Sequence, residues 1–193
     1  MIQNKIVPAS KEMIRYACEN FHYSKSIPTG RKIGFAIFEE EKFKGVIAYS
    51  LGANRNIGKP FGMTQGEVIE LSRVALQSIK NPMSYYLKET IRIIEDKSPS
   101  VKLVISYLDE ETKQELGAEY IDSDWLYFGK TNSGAKEYFV NGEWVPKRTV
   151  SSYPPEKRDF VRKTAKKRPV RDKYRYVYCM DKRLRRMYQQ NLD

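Results

Sequence analysis

Glu67-Val68-Ile69-Glu70-Leu71-Ser72-Arg73-Val74-Ala75-Leu76, followed by Asn81-Pro82-Met83-Ser84 and the run from Tyr85 to Asp96, decides how this chain is read. Val68, Glu70, Ser72, Val74 and Leu76 alternate with Ile69, Leu71, Arg73 and Ala75, which is the period of a strand. The alternation puts Glu70 and Ser72 on an inner face that is ordinarily apolar. Asn81 is a capping residue type, and Pro82 suits a first helical turn, where a missing N–H costs nothing. Leu87, Ile91 and Ile94 then recur at helical spacing. Strand, short connection and helix start leave backbone N–H groups and the positive end of a helix dipole aimed at one spot, which suits a phosphate, carboxylate or oxyanion. An ordinary strand–helix crossover carries the same signature.

A chain of 193 residues holds one good core, or one core with an appendage. No apolar run is long enough to cross a bilayer, and no signal-peptide core follows Met1, so a cytoplasmic location without membrane contact is expected. Cys18 and Cys179 lie far apart with no metal-ligand spacing, which argues against a zinc cluster or a disulfide framework.

Charge is distributed unevenly. From Lys147 to Asp193 there are 16 Lys/Arg against 5 Asp/Glu, so this stretch carries the whole formal charge of +11. Residues 1–146 are balanced. The pattern predicts a neutral catalytic domain over 1–146 and a basic, polyanion-binding extension over 147–193 packed on the same domain, with DNA binding the favoured use and a ribosomal role, a membrane-surface role or a solvated face the alternatives. Tyr174-Arg175-Tyr176-Val177-Tyr178 interleaves aromatics that can stack on bases with a guanidinium that can hold phosphate. Arg168, Arg171, Lys173, Arg175, Arg183, Arg185 and Arg186 are the candidate DNA contacts, and a strand packing its aromatic face on the main sheet is the plainer alternative.

Elsewhere, Ser10 opens a helix to about Asn20, with Met13, Ile14, Ala17 and Cys18 turned inward. The loop His22-Tyr23-Ser24-Lys25-Ser26-Ile27-Pro28 follows and holds the only histidine. Residues 33–38 and 43–50 read as paired strands joined by an acidic turn over 39–42. Residues 101–107 form another strand that runs into Leu108-Asp109, then a short helix from Glu110 to Leu116 ends at Gly117, and residues 118–129 return to the sheet. Asn141-Gly142 marks a hairpin, a basic helical segment lies between Pro154 and Pro169, and a short helix runs from Asp181 to Gln190. Strands, helices and further strands in this order predict a mixed α/β sheet flanked by helices.

His22 through Pro28, Glu70 through Leu76, Ser106-Tyr107-Leu108-Asp109, Ile121 through Gly129, and Tyr174 through Tyr178 with Asp181 through Arg185 stand in the order of the Mom family. The chain resembles that family over roughly residues 20–188. The resemblance implies a divergent GNAT acyltransferase fold and conversion of adenine in phage DNA to N6-(carbamoylmethyl)adenine, which masks sites from host restriction. It further implies iron and a small-molecule or acyl-CoA donor, with double-stranded DNA as partner and a homodimer compatible.

By the same resemblance His22, Ser84, Asp109 and Tyr120 are the catalytic candidates, with Tyr23 and Arg73 close behind. Glu70, Ser72, Arg73 and Ser84 are candidates for holding the donor, and His22, Tyr23 and Asp109 for holding a metal. Imidazole suits both proton transfer and metal binding. Asp109 stands at the carboxyl end of a strand, where α/β sheets place reactive groups, but Asp109 and Ser84 are equally good helix caps and Tyr120 a good core residue. One departure is visible: the turn from Gln77 to Ser84 has no glycine, so close approach by a pyrophosphate is harder. Two further functions fit the sequence, an acetyl-CoA-dependent N-acetyltransferase acting on a protein or small amine, and a non-enzymatic nucleic-acid-binding protein.

Overall fold

The computed structural model describes residues 3–28, 30–52, 55–131 and 134–192, the side chains of Glu111 and Arg148 excepted. In chain order the elements are β1 (Asn4–Pro8), α1 (Lys11–Phe21), β2 (Lys32–Glu39), β3 (Lys42–Ser50), β4 (Val68–Leu76), α2 (Met83–Lys97) and β5 (Leu103–Leu108). They continue with α3 (Glu110–Asp122), β6 (Leu126–Lys130), β7 (Lys136–Val140), β8 (Glu143–Pro146), α4 (Lys147–Ser151), α5 (Pro155–Thr164), β9 (Lys167–Pro169), β10 (Tyr174–Cys179) and α6 (Lys182–Gln190). Seven strands build a central sheet in the order β1-β2-β3-β4-β5-β10-β6, and β8-β7-β9 form a second, small sheet. The expected mixed α/β architecture is present.

Apolar residues on the two faces of the sheet explain the layers. Ile47, Tyr49, Ile69, Leu71 and Val104 face α2, whose Leu87, Ile91 and Ile94 are almost fully buried. Truncating one of these, such as Leu87, costs about 3 kcal/mol. On the opposite face Val46 and Ala75 meet Ala17 of α1, while Leu103, Ile105 and Val177 meet Tyr188 of α6. Ser10 caps α1 by accepting from Met13 N at 3.2 Å, as its position before the apolar run suggests. Cys18 and Cys179 are free, buried thiols. No helix among the described residues is long and apolar enough to cross a membrane.

β4 and β5 pair in parallel only from Val68↔Leu103 to Glu70↔Ile105. Beyond that point β4 runs on to Leu76 without a partner on β5, so the two strands part like the arms of a V. A register shift against β3 between Ala48 and Tyr49, opposite Arg73 and Leu71, turns β4 just where the parting begins. Gly45, opposite Leu76, holds the other edge of β4 close: with φ +126 it has no room for a Cβ, which would lie 1.9 Å from the Ala75 carbonyl oxygen.

Several expectations are corrected. Asn81 does not cap α2; Pro82 occupies the cap position without a side-chain hydrogen bond, and the Asn81 amide donates instead to Asn4 Oδ1, Glu39 Oε1 and Tyr86 OH. The helix after β5 passes through Gly117 to Asp122, because a Cβ there would press on Tyr176 OH at 3.2 Å and glycine lets the helix lie close to β10. Residues 118–122 are therefore helix and not a return to the sheet. β1 and β9 were not legible as strands. The boundary expected at residue 146 falls between β8 and α4, inside the small unit that inserts between β6 and β10 and has its own core of Tyr138, Val150 and Val161. β10 is no appendage: it lies inside the central sheet, antiparallel to both β5 and β6.

Glu39 was expected in the acidic turn, but the turn is the two-residue Glu40-Glu41, both with positive φ (48° and 62°), and Glu39 closes β2 with 1% exposure. Its carboxylate accepts from Lys80 N at 2.9 Å, Asn81 N at 3.2 Å and Tyr86 OH at 2.5 Å, so it fixes where the β4–α2 connection sits. Burial alone would raise its pKa above the ordinary 4.5; the Tyr86 hydroxyl and the Asn81 and Lys80 N–H groups outweigh burial and hold it below. A carboxyl depressed in this way stabilises the fold above its unfolded-state pKa, and the contribution is lost as pH falls through the lower folded value. Glu39→Ala is expected to lower unfolding free energy by about 3 kcal/mol in urea titration at neutral pH, because Lys80 N, Asn81 N, Asn81 Nδ2 and Tyr86 OH lose their acceptor. The gap between Glu39→Ala and wild type should narrow as the buffer is made acidic.

Candidate active site

Where β4 and β5 part, a cleft of about 230 Å³ opens. Ser72, Arg73 and Val74 form one wall, Ser106, Tyr107 and Leu108 the other; His22 and Tyr23 reach it from the loop after α1, and Thr112, Glu115, Leu116 and Tyr120 from α3. Because α1 and α3 lie on opposite faces of the sheet, the cleft passes through the sheet from one face to the other. Glu70 and Lys173 complete its rim.

His22 ends α1 and is 9% exposed. Its Nδ1 accepts from Ser24 N at 3.1 Å and lies 2.9 Å from Ser24 Oγ, and its ring stacks on Tyr23 with centroids 4.4 Å apart. Burial, seconded by the Arg73 charge, pulls its pKa from 6.5 down to about 4, so the ring is neutral at physiological pH. Arg73 is tied to the same loop: Nε donates to Ser26 O at 2.9 Å and Nη2 to Ser26 Oγ at 3.0 Å. Ser72 Oγ meets Ser50 Oγ at 2.5 Å across the β3–β4 pair.

Asp109 caps α3, its Oδ1 accepting from Thr112 N at 2.9 Å. Burial pushes its pKa up, but Thr112, the Lys173 charge and the Tyr23 phenol outweigh it and keep the carboxylate ionised. The Tyr23 phenol is raised, first by burial and then by the Asp109 charge. His22, Tyr23 and Asp109 therefore belong to one cluster. Tyr120 is 2% exposed and forms the cleft's floor, with its hydroxyl 2.9 Å from Ser106 Oγ and its ring edge-on to Trp125 at 5.0 Å. Burial raises its phenol well above the ordinary range, so it stays protonated.

Ser84 stands apart from this cluster. It does not line the cleft, and its N–H at the start of α2 donates to Glu119 Oε2 of α3 at 2.7 Å. The N–H groups expected to face a ligand at this junction are thus engaged by the chain's own carboxylates, Glu119 at Ser84 and Glu39 at Lys80 and Asn81. The residues present do not fit the pyrophosphate of an acyl-CoA at the start of α2. Nor do they fit iron: His22 Nδ1 is engaged by Ser24, the Tyr23 phenol is held in its protonated form and Asp109 caps a helix. No group of three or more His, Cys, Asp or Glu suited to a metal occurs among the described residues.

A second hollow of about 680 Å³ adjoins the cleft and is lined by Asp109, Glu110, Lys130, Glu137 and the stretch Arg168 to Lys173 without Pro169. Lys173 lines both spaces. Of the candidate DNA contacts, Arg171 and Lys173 face this hollow, and so does Arg168, which also pairs with Glu137 at 2.8 Å and lies over the Trp144 ring. Arg175 and Arg185 are engaged in holding the fold, through Phe128 O and Asp124 O respectively. Arg183 and Arg186 are exposed on α6 and line neither space. Sequence reasoning missed Glu115, Leu116 and Thr112; the signal was the helical spacing 112-116-120, hidden by reading Gly117 as a stop. Tyr120→Phe is expected to cost about 1–2 kcal/mol in thermal or urea unfolding, since it leaves the buried Ser106 hydroxyl short of a partner. Calorimetric titration with coenzyme A alone should show no saturable binding to the wild type, and Glu119→Ala, which frees the Ser84 N–H, should make such binding detectable.

The geometry can be set beside known proteins. The spermidine N-acetyltransferase SpeG from Vibrio cholerae superposes with a TM-score of 0.56 at 10% identity, covering 96% of this chain and 98% of that one. The aminoglycoside acetyltransferase AAC(6')-Ib, solved with coenzyme A and kanamycin, gives 0.56 at 6% identity, covering 97% and 99%. At such identities the likeness is one of fold. Among curated proteins none matches. The sequence pattern of the Mom protein family matches residues 3–192. With that match spanning nearly the whole chain, and the overall fold shared with N-acetyltransferases, this chain is a member of the Mom protein family built on the GNAT fold.

Proposed function

We propose that the chain modifies the N6 amino group of adenine in double-stranded DNA, converting it to N6-(carbamoylmethyl)adenine with a small-molecule donor and so shielding phage DNA from restriction. One observation supports this reading above the others: the cleft holding His22 and Tyr120 shares Lys173 with a hollow where Lys130, Arg168 and Arg171 stand among Asp109, Glu110, Glu137 and Asp172. A duplex lying along that hollow would have its phosphates near these cations. The amino group is paired with thymine at the major-groove edge of the duplex, so the target adenine must be turned out to enter so narrow a cleft.

Forming a bond from N6 to the incoming carbon requires the donor's leaving group to depart with its electron pair and an amino proton to pass to a base. Glu70 and Glu115 line the cleft and Asp109 stands where it meets the hollow, so carboxylates are at hand for that proton. Tyr120, protonated and pinned by Ser106, offers a flat apolar floor for a base. Acetylation of a protein or small amine from acetyl-CoA is the alternative that the fold favours, and the engaged Ser84 N–H counts against it.

Nucleoside mass spectrometry on DNA from expressing cells is expected to show the modified adenine with wild type. Asp109→Asn should reduce it at least about tenfold, and acetylated amines with ordinary nucleosides would select the alternative. The paired change Arg171→Ala and Lys173→Ala should weaken duplex binding across sequences and lessen its salt dependence by roughly two units of log slope, one for each phosphate left without its cation.

A further inference from the structure

The loop after α1 carries a directional chain of hydrogen bonds that ends on His22. Arginine can only donate, so Arg73 Nη2 donates to Ser26 Oγ at 3.0 Å. The Ser26 hydroxyl is then free to donate its own proton to Ser24 Oγ, 2.9 Å away. Ser24 in turn donates to His22 Nδ1 at 2.9 Å, and its backbone N–H, which can act only as a donor, reaches the same nitrogen at 3.1 Å. The backbone contact requires a lone pair on Nδ1, and with that nitrogen accepting, the Ser24 hydroxyl is oriented as a second donor to it. In a neutral imidazole the single ring proton must then sit on Nε2.

Nε2 has no hydrogen-bond partner among the described residues, yet it is not sealed in the interior: the one buried side-chain N or O atom without a partner among those residues is Trp125 Nε1. His22 lines the cleft, so the cleft is where an unpartnered Nε2–H can meet an acceptor.

We propose that His22 acts as a neutral hydrogen-bond donor through Nε2–H, gripping the atom of the donor's leaving group that departs with the electron pair. Ser24 and Ser26, anchored by Arg73, are the positioning residues that hold it in this tautomer. This role differs from that of a base or a metal ligand, both of which need the Nε2 lone pair. No proton leaves the ring; its contribution is a preformed donor where negative charge gathers, and a donor of this kind is worth roughly 10²–10³ in rate. The inference rests on the cleft being the reaction site, as proposed above, but the ring can be read without any activity.

His22 is the only histidine, so a long-range ¹H–¹⁵N correlation on histidine-labelled full-length protein gives a single imidazole pattern. At neutral pH a protonated Nε2 and an unprotonated Nδ1 are expected in the wild type. An Nδ1–H tautomer, or an imidazolium, would overturn the proposal without the need for a variant and whatever the substrate proves to be. Ser24→Ala keeps only the backbone contact; it should make an Nδ1–H population detectable and lower the adenine modification kcat about tenfold with little change in KM. Ser24→Thr, which keeps the hydroxyl, should restore both readouts. Equal behaviour of the two variants at equal folded fraction would remove Ser24 from its positioning role.

Discussion

The parting of β4 from β5 after Glu70 and Ile105 is the constraint on which the rest of the structure depends. Backbone groups of an interior strand are ordinarily satisfied by a neighbour, and a sheet that stops pairing at its centre must fill the gap with something else. Here the gap is filled by side chains arriving from both faces: His22 and Tyr23 from behind α1, Leu116 and Tyr120 from α3. Every contact that shapes the cleft, from the Ser50–Ser72 hydroxyl pair to the Tyr120–Ser106 bond, braces one of the two arms.

Two carboxylates of the protein occupy the places that an anionic ligand would take at the β4–α2 junction. Glu39 engages the connection and Glu119 the first turn of α2. Glu119 thereby ties α3 to α2 across the open side of the sheet. The cleft is kept narrow and the positive end of the helix dipole is already neutralised. A transferase on this scaffold that relies on a diphosphate grip needs those N–H groups free. This chain spends them on rigidity.

Much of this was legible in the sequence, for identifiable reasons. Period-two alternation over Val68–Leu76, helical spacing of Leu87, Ile91 and Ile94, and the Asn141-Gly142 turn are local signals, and each element they predict is present. His22 and Asp109 were singled out on different parts of the chain and meet at one cluster. The errors came where tertiary contacts override local preference. Gly117 reads as a helix stop and is instead a point of close approach to Tyr176. Glu39 reads as a solvated turn residue, yet it is buried because four donors from a segment some forty residues later converge on it. Asn81 reads as a cap, but its amide is claimed by the same carboxylate. Arg175 and Arg185 read as phosphate ligands and are engaged with backbone carbonyls, a use that no sequence pattern marks.

The position of β10 has a bearing on how the molecule assembles itself. β5 and β6 are separated in the sheet by β10, while the basic insert lying between β6 and β10 in sequence packs around its own small core. As the polypeptide leaves the ribosome, the insert can reach its native form while the catalytic sheet still lacks its sixth member. Tyr120 meets Tyr176 only once the final segment has threaded between two waiting edges. Until then those unpaired edges invite mispairing with other chains, so the sheet that carries the cleft is completed by a strand made well after both of its neighbours.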